Sequence, residues 1–297
     1  MKTKILLIFA GLLAFCIART QNQEVTWGYG DALPINEMLQ KICTQGNDTV
    51  YVVSQNGMLA RSADRAESWD IQYPVSTQLN DIVFLNHQIG FAVGNGGVIL
   101  QTTDSGDTWV QILSGTAQNI NAIAIASMDN IWAVGDNGVV LHTTDIGQTW
   151  TAENLITDNS CLYDVKFNGN TGYIVGDNGT ILKTLNNGID WITQAAPIAR
   201  PIHSICFAGD TTYALMSEGV YTGLVIFSEY NGQWQVYNHG FLSGNAGSIY
   251  FIDENTGFVS GYAWLTGEGW LLKIFKTTDG GANMERRKYN LSKSILL

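Results

Sequence analysis

The chain has 297 residues, of which 45% are hydrophobic and 14% are charged. Aspartate and glutamate outnumber lysine and arginine by 26 to 15, which gives a formal net charge of −11 at pH 7. A surface this acidic repels phosphate backbones, so nucleic acid is excluded as an expected partner.

The N-terminus has the pattern of a signal sequence. Lys2 and Lys4 precede the apolar run ILLIFAGLLAF, and the small residues Cys16 and Ala18 come before an expected cleavage site. The apolar run is too short for a transmembrane anchor. We therefore predict a signal peptide over residues 1–18 and an exported mature protein without a transmembrane segment, whether secreted, periplasmic or at the cell surface. A lipoprotein anchored through Cys16 is a weaker alternative, because a bulky residue precedes that cysteine.

One stretch recurs along the chain at a nearly fixed interval. The copy from Asn130 to Trp150 reads NIWAVGDNGVVLHTTDIGQTW. The tryptophans that close the copies advance in steps of 40, 41 and 41, at Trp69, Trp109, Trp150 and Trp191, and the turn glycines keep the same steps, at Gly57, Gly97, Gly138 and Gly179. A constant period near 40 indicates a repeat architecture.

Each copy contains four short apolar runs separated by turn residues, and this is the pattern of one propeller blade. No helix-length periodicity follows the N-terminus. We predict an all-β propeller over residues 24–290 with six encoded four-stranded blades. Their boundaries lie at about 35–74, 75–115, 116–156, 157–197, 198–240 and 241–290. Asn-Gly and Gly-Gly pairs in the first turn favour two-residue hairpin connections.

The second turn of each copy carries a more specific motif. Its Thr, Asp, Gly, Thr and Trp are spaced as in the Asp-box, or bacterial neuraminidase repeat. The Asp is expected to accept backbone N–H groups within the turn, the Gly to adopt a left-handed conformation, and the Trp to pack between blades. We therefore predict a structural role, and not a catalytic one, for Asp64, Asp104, Asp145, Asn186, Asp279, Trp69, Trp109, Trp150 and Trp191. A shortened box is expected at 228–234.

Both ends of the repeat array are irregular. Trp27 lies one period before Trp69, so residues 24–30 are expected to form a strand that closes the ring. After Asp279 the tryptophan position holds Met284. Two alternatives follow: residues 24–30 complete the sixth blade, or the propeller has seven blades and the chain is truncated in the last one.

The copy TGYIVGDNGTILKTLNNGIDW, with the spacing VGxxGxIxxTxDxGxxW, resembles the repeat of the photosystem II stability and assembly factor family of cyanobacteria and chloroplasts. The resemblance covers most of residues 24–284. It implies an exported, non-enzymatic, seven-bladed propeller that binds a membrane-protein assembly intermediate through an arginine-rich surface patch. After the cleavage region, the arginines of this chain are few and scattered, at Arg61, Arg65, Arg200, Arg286 and Arg287. The composition therefore fits a secreted bacterial surface or binding protein better than a photosynthetic role.

Two sets of residues are candidates for binding. Asp136, Asp177 and Arg200 are expected on the face formed by the first turns and the loops between blades. The second set lies in the largest interruption of the repeat, the insertion GYAWLTGEGW, and comprises Tyr262, Trp264 and Trp270. On a glycine-rich loop these aromatic residues would stack on sugars or anchor a protein; alternatively, they cap an open blade edge. The expected partner is a protein, with a glycan as the second choice.

The enzymatic alternative is a glycoside hydrolase of the sialidase or xyloglucanase type, because both types carry Asp-boxes. Sialidases clamp a carboxylate with three arginines, whereas the Arg200-Pro201-Ile202 triplet stands alone here. Xyloglucanases of this type contain two propellers, about twice the length of this chain. We therefore expect no catalytic residue, no cofactor and no metal site, since the four histidines show no ligand spacing.

The mature chain would keep three cysteines, Cys43, Cys161 and Cys206. An odd number excludes a complete disulfide framework. Cys43 and Cys206 lie in the runs expected to form innermost strands, where a buried free thiol is expected. A bridge between one pair is an alternative that the sequence leaves open.

Overall fold

In the computed structural model of the chain, the backbone is described for residues 2–9, 12–19, 26–28, 37–217, 224–230, 233–238, 246–265 and 269–286. Side chains are described for residues 37–216, 234–235, 247–261 and 274–285. The chain divides into two compact units, Met1–Ala199 and Arg200–Leu297.

The first unit begins with a three-stranded antiparallel sheet. It consists of β1 (Lys2–Phe9), β2 (Leu12–Arg19) and β3 (Thr26–Gly28), in that order. Cys16 of β2 pairs with Trp27 of β3. The signal peptide and the ring-closing role of residues 24–30 stay predictions, and the side chains of these strands lie outside the described residues.

Four four-stranded antiparallel sheets form the rest of the first unit, and we call them blades 1 to 4. Blade 1 contains β4 (Leu39–Gln45), β5 (Thr49–Ser54), β6 (Leu59–Ser62) and β7 (Asp70–Gln72). Blade 2 contains β8 (Leu79–Phe84), β9 (Gly90–Gly94), β10 (Val98–Thr102) and β11 (Val110–Ile112). Blade 3 contains β12 (Ile120–Ile125), β13 (Ile131–Gly135), β14 (Val140–Thr143) and β15 (Thr151–Ala152). Blade 4 contains β16 (Leu162–Asn168), β17 (Thr171–Gly176), β18 (Ile181–Thr184) and β19 (Ile192–Gln194).

The second unit contains two further sheets of the same kind, blades 5 and 6. Blade 5 contains β20 (Ile202–Ala208), β21 (Thr211–Ser217), β22 (Leu224–Tyr230) and β23 (Gln233–Asn238). Blade 6 contains β24 (Ala246–Phe251), β25 (Gly257–Leu265), β26 (Gly269–Thr277) and β27 (Glu285–Arg286). In every blade, neighbouring strands are consecutive in the chain. The all-β propeller built from four-stranded blades is therefore confirmed, while the number of blades in a closed ring stays a prediction.

Burial decreases from the second strand of a blade to the fourth. All five residues of β9 and of β13 are buried, because both faces of these strands pack against other side chains. The fourth strands β11 and β19 are mostly exposed. Glycine and alanine alternate with larger apolar residues in the second strands, as in GFAVG and IWAVG, which lets them fit between two packed layers.

The first strands of blades 1 to 5 share a β-bulge at their second residue. A bulge re-aims the side chain at the extra residue, and two such side chains tie neighbouring blades together. Asn80 Nδ2 donates to the carbonyl oxygen of Ile120 at 2.8 Å, and Asn121 Nδ2 donates to that of Leu162 at 2.9 Å. The bulges of blades 2 and 3 therefore each supply a hydrogen bond to the first strand of the next blade.

An aromatic residue in the second strand packs on the box glycine of the next blade. Gly147 has φ of +78°, and a Cβ atom there would lie 2.4 Å from the ring of Phe91. A Cβ atom at Gly188 would lie 2.5 Å from the ring of Trp132. The box glycine is therefore required both by its backbone conformation and by the ring that covers it.

The first turns differ from the predicted two-residue hairpins. Blades 2, 3 and 4 have three-residue 3-10 turns at Asn95–Gly97, Asp136–Gly138 and Asp177–Gly179. Their N–H groups bond outside the hairpin: Asp136 N donates to Asn119 O at 3.0 Å and Gly138 N to Ser160 O at 2.9 Å. A two-residue turn would not reach those carbonyl groups.

Two other predictions about local structure are wrong. The shortened box at 228–234 is a continuous hairpin, because Ser228 lies within β22 and Tyr230 pairs with Gln233 of β23. The insertion in blade 6 does not form a loop over most of its length. Its residues lengthen β25 and β26, and Trp264 pairs with Trp270, since aromatic and aliphatic residues favour extended strands.

Candidate functional site

The box turns are closed by their own side chains. In blade 2, Thr102 Oγ1 donates to Asp104 Oδ1 at 2.8 Å and accepts from Gly106 N at 2.8 Å. Asp104 in turn accepts from Thr108 N at 2.9 Å and from Thr108 Oγ1 at 2.6 Å. Asp64, Asp145 and Asp279 make the equivalent bonds. These hydrogen bonds close the turn around each aspartate.

These hydrogen bonds favour the ionised carboxylates. Donation from Thr108 and Thr102 lowers the pKa of Asp104 to about 2, and donation from Thr149 and Thr143 lowers the pKa of Asp145 to about 2. The pKa values of Asp64 and Asp279 are lowered for the same reason. A carboxylate held in this way is a poor proton donor near neutral pH, which argues against acid catalysis at these positions.

Box tryptophans pack against aromatic rings instead of forming polar contacts. Trp150 meets Phe91 edge to face with ring centroids 6.4 Å apart, and Trp191 meets Trp132 at 5.4 Å. The Nε1 atoms of Trp69, Trp109, Trp150 and Trp191 are buried without a hydrogen-bond partner. Their contribution is therefore the packing of one blade against the next.

Two of the predicted binding residues are occupied within their own blade. Asp136 accepts hydrogen bonds from the side-chain amides of Asn119 and Asn121, both at 2.8 Å. Asp177 accepts from Tyr163 OH at 2.7 Å and from Cys161 N at 3.2 Å. Both carboxylates therefore fix the first turn to the first strand, which is a structural role that the motif alone did not reveal.

The remaining predicted binding residues belong to the second unit. Arg200 is exposed and begins the second unit. Tyr262, Trp264 and Trp270 lie in β25 and β26 by their backbone, and their side chains lie outside the described residues. The binding role of this set stays a prediction.

A charged cluster of two buried aspartates and two partly exposed lysines lies among the first strands of the first unit, and it was not predicted. Asp81, with a side chain only 3% exposed, lies 3.6 Å from Lys41 Nζ and 3.9 Å from Lys166 Nζ. Lys166 Nζ also lies 3.1 Å from Asp164 Oδ1. We call Lys41, Asp81, Asp164 and Lys166 the axial cluster. Its two lysines and two aspartates balance, so it offers no excess charge to a ligand.

The axial cluster connects all four blades of the first unit. Asp81 of blade 2 also accepts from Ile123 N of blade 3 at 3.1 Å. Blade 3 carries Ala122 at the position that Asp81 and Asp164 occupy in blades 2 and 4. This small residue leaves space for Lys166 to approach Asp81. The sequence contains a signal for this cluster. In three first strands a charged residue stands two positions after the first leucine, where an apolar core residue would be expected: Lys41, Asp81 and Asp164.

The axial cluster changes the ionisation of two groups. Burial would lower the pKa of Lys166, but the nearby carboxylates of Asp164 and Asp81 outweigh burial and raise it. Burial, reinforced by the charge of Asp81, raises the pKa of the Cys43 thiol to about 11. Cys43, Cys161 and Cys206 are all free thiols and are only partly buried. Cys43 is therefore an unreactive thiol at neutral pH.

Neither a metal-ligand cluster nor a membrane-crossing helix occurs among the described residues. No three His, Cys, Asp or Glu side chains within the described ranges are grouped as metal ligands would be. No helix among the described residues is long and apolar enough to cross a membrane.

The repeat has a counterpart among known families. The sequence profile described as photosynthesis system II assembly factor YCF48 matches residues 62–157 and, in an overlapping placement, residues 102–196. The matched region contains the boxes of blades 1 to 4. Residues 62–196, which are less than half of the chain, are therefore similar to the photosystem II assembly factor family. No curated protein sequence matches the chain significantly.

Several solved structures resemble this chain in fold. YCF48 from Cyanidioschyzon merolae has a TM-score of 0.66 and 16% identity, over 86% of both chains. YCF48 bound to a D1 peptide has a TM-score of 0.52 and 18% identity, over 72% of this chain and 81% of that one. A GH74 enzyme from Niastella koreensis has a TM-score of 0.71 and 18% identity, over 86% of this chain and 46% of the enzyme. At these identities the likeness concerns the fold alone.

Proposed function

We propose that the protein is an exported, non-catalytic propeller scaffold that binds a protein partner. The proposal rests on one observation: the polar residues that recur in the repeat have structural partners within the chain. The box aspartates close turns, Asp136 and Asp177 anchor first turns, and the axial cluster is balanced internally. The repeat therefore supplies stability, and its surface is left for recognition.

The nature of the partner is proposed from the family. One YCF48 structure holds a D1 peptide, which supports a protein as the ligand of this chain. Arg61 and Arg65 are each paired with an aspartate, Asp107 and Asp48 respectively. Because these arginines are occupied, we propose a partner other than the photosystem, as expected for a secreted bacterial surface or binding protein.

A second candidate function is glycan binding or glycoside hydrolysis, which the likeness to the GH74 enzyme favours. Hydrolysis of this kind needs one carboxylic acid with a raised pKa and a second, ionised carboxylate. The box aspartates Asp64, Asp104, Asp145 and Asp279 have lowered pKa values because they accept hydrogen bonds within their turns, and they therefore do not fit the acid role. This pattern favours the scaffold over the hydrolase.

The experiment uses the chain from residue 19 onward. Binding of a D1 peptide is measured by calorimetry, and xyloglucan and a sialoside are offered as substrates. We expect no turnover, and weak or absent binding of the D1 peptide. Turnover of either glycan would refute the scaffold proposal, whereas tight binding of the D1 peptide would refute the non-photosynthetic partner.

The aromatic set is tested with the partner once it has been captured. Trp264→Ala with Trp270→Ala should weaken capture while the melting temperature changes little. If binding and folding are lost together, the aromatic pair supports blade 6 and the site lies elsewhere.

Export is tested by N-terminal analysis of secreted material, where we expect a new N-terminus between Arg19 and Asn22.

A further inference from the structure

The box turn of blade 4 differs from its neighbours in a way that folding does not require. Leu185, Ile189 and Ile192 are 61%, 80% and 62% exposed. The equivalent residues of blade 3, one period of 41 earlier, are the exposed polar residues Thr144, Gln148 and Thr151. Since blade 3 forms the same turn with polar residues, the three apolar side chains of blade 4 are not needed for the turn.

The turn that carries these residues is fixed to blade 3. Asn130 Nδ2 donates to the carbonyl oxygen of Asn187 at 2.7 Å, and His142 Nε2 lies 2.8 Å from Asn130 Oδ1. Trp132 packs on Gly188 from below. Met128, two residues before Asn130, is 73% exposed on the blade 3 side. Ordered apolar side chains on a rigid turn lose little conformational freedom when a partner binds.

We call Leu185, Ile189, Ile192 and Met128 the seam patch. The first three lie on the box turn of blade 4 or in the strand that follows it, and Met128 lies two residues from Asn130, which bonds to that turn. Several exposed apolar residues on neighbouring segments mark interaction surfaces more often than single exposed residues do. A glycan is a poor fit for branched aliphatic side chains, since sugars stack on aromatic rings. The chemistry of the patch therefore favours an apolar protein segment.

The charge around the seam patch indicates the charge of the partner segment. Between residues 127 and 192 the chain has eight acidic residues and two lysines. One of those lysines, Lys166, belongs to the axial cluster, and the other, Lys183, lies over the ring of Tyr173 at 5.3 Å. Asp129 and Asp190 are exposed beside the patch. A second copy of this acidic chain would be repelled, whereas a basic segment would be attracted.

We propose that the seam patch is a docking surface for a cationic amphipathic segment of a partner protein. Apolar side chains of the segment cover Leu185, Ile189 and Ile192, and its lysines or arginines face Asp129 and Asp190. This inference rests on the proposed function, protein binding, and assigns that function a surface and a partner chemistry.

The test compares two variants of the full chain. In the seam variant, Leu185→Thr, Ile189→Gln and Ile192→Thr install the blade 3 residues at the equivalent positions, so the turn should still fold. In the control variant, Val110→Thr and Leu113→Thr remove exposed apolar residues of blade 2, which are 61% and 88% exposed. Far-ultraviolet circular dichroism and melting temperature verify that both variants fold.

The probe is a fluorescent peptide of alternating leucine and lysine, and binding is followed by anisotropy. Peptides with glutamate in place of lysine, and with serine in place of leucine, serve as chemical controls. We expect the leucine–lysine peptide to bind the wild-type chain and the control variant equally, and the seam variant at least tenfold more weakly. Added salt should weaken binding, and both control peptides should fail to bind.

Several outcomes would overturn the inference. Equal binding of the leucine–lysine peptide to the seam variant, or no binding to the wild-type chain, would show that the patch is not the docking surface. Sedimentation that finds a wild-type dimer lost in the seam variant would assign the patch to a second copy, and seam-dependent binding to phosphatidylcholine vesicles would assign it to a membrane. The proposed function fails separately, through glycan turnover, which the seam variant does not affect.

Discussion

The carboxylate of Asp81 accepts a hydrogen bond from the backbone N–H of Ile123 at 3.1 Å, although the two residues belong to different blades. Asp81 also faces Lys41 of blade 1 and Lys166 of blade 4. One buried side chain therefore links blade 2 to the three other blades of the first unit. Buried charges in such a position stabilise a structure only while every partner is present.

The first prediction concerns this link. Asp81→Asn should lower the free energy of unfolding by about 2 kcal/mol, because Lys41 loses its carboxylate and Lys166 keeps only that of Asp164. Asp107→Asn is the matched control, since Asp107 pairs with Arg61 but is 66% exposed; it should cost less than about 1 kcal/mol. Urea unfolding measures both. Equal effects of the two substitutions would show that the axial cluster does not connect the blades.

The second prediction concerns the box glycine. Gly147→Ala forces a side chain into a left-handed conformation and against Phe91, whereas Gly96→Ala has a similar φ of +71° and open space around it. Both substitutions should lower the free energy of unfolding by about 1 kcal/mol because of the backbone conformation. Gly147→Ala should lower it by about 1 to 3 kcal/mol more because of overpacking. Thermal unfolding of the two variants measures the difference. Similar losses would mean that the Phe91 ring moves aside freely.

The sequence predicts the features that repeat. The period near 40, the box residues and the four strands of each blade can be predicted because each depends on local turn chemistry and on alternation of apolar residues. The aromatic residue of the second strand was missed, although Tyr51, Phe91, Trp132 and Tyr213 keep the same position in the repeat. Its role is visible only when the next blade is in place.

Features that depend on side-chain contacts between strands, within a blade or between blades, could not be predicted. Asp136 and Asp177 have the composition of binding residues, and only their distances to Asn121 and Tyr163 reveal that they are occupied. Lys166 reaches Asp81 across blade 3 because Ala122 is small. No local pattern encodes such a distance. The glycines of the insertion in blade 6 predict a loop, whereas its aromatic residues favour the strands that it forms.

The third prediction concerns the thiol of Cys43. Its pKa of about 11 should appear in the rate of alkylation by iodoacetamide, measured on the chain from residue 19 onward, which lacks Cys16, with Cys161→Ser and Cys206→Ser. The rate should keep rising up to pH 10, because the thiolate fraction is still growing, while an unperturbed thiol levels off near pH 9. Adding Cys43→Ser should abolish the reaction. A plateau below pH 9.5 would show that neither burial nor Asp81 disfavours the thiolate.

The fourth prediction concerns acid stability. The pKa of Asp145 is lowered to about 2 in the folded chain, against about 3.9 in an unfolded chain. A group with a depressed pKa contributes stability above its unfolded pKa and loses it as the pH falls through its folded pKa. Asp145→Asn should therefore lower the melting temperature by a few degrees at pH 7, and the difference from the wild type should shrink between pH 4 and pH 2.

The box of blade 4 provides the converse experiment, because it naturally carries Asn186. Asn186 Nδ2 donates to Asp190 Oδ2 at 3.0 Å, and Asn186 Oδ1 accepts from Asp190 N at 3.0 Å. Asn186→Asp removes the first bond and places two carboxylates together, so the melting temperature at pH 7 should fall although the box gains its usual aspartate. Protonation relieves this repulsion, and the loss should become smaller as the pH falls below about 4. Melting temperatures from pH 7 to pH 2 measure the effect. If Asn186→Asp is neutral at pH 7, the Asn186–Asp190 pair has no role in holding the turn that displays the seam patch.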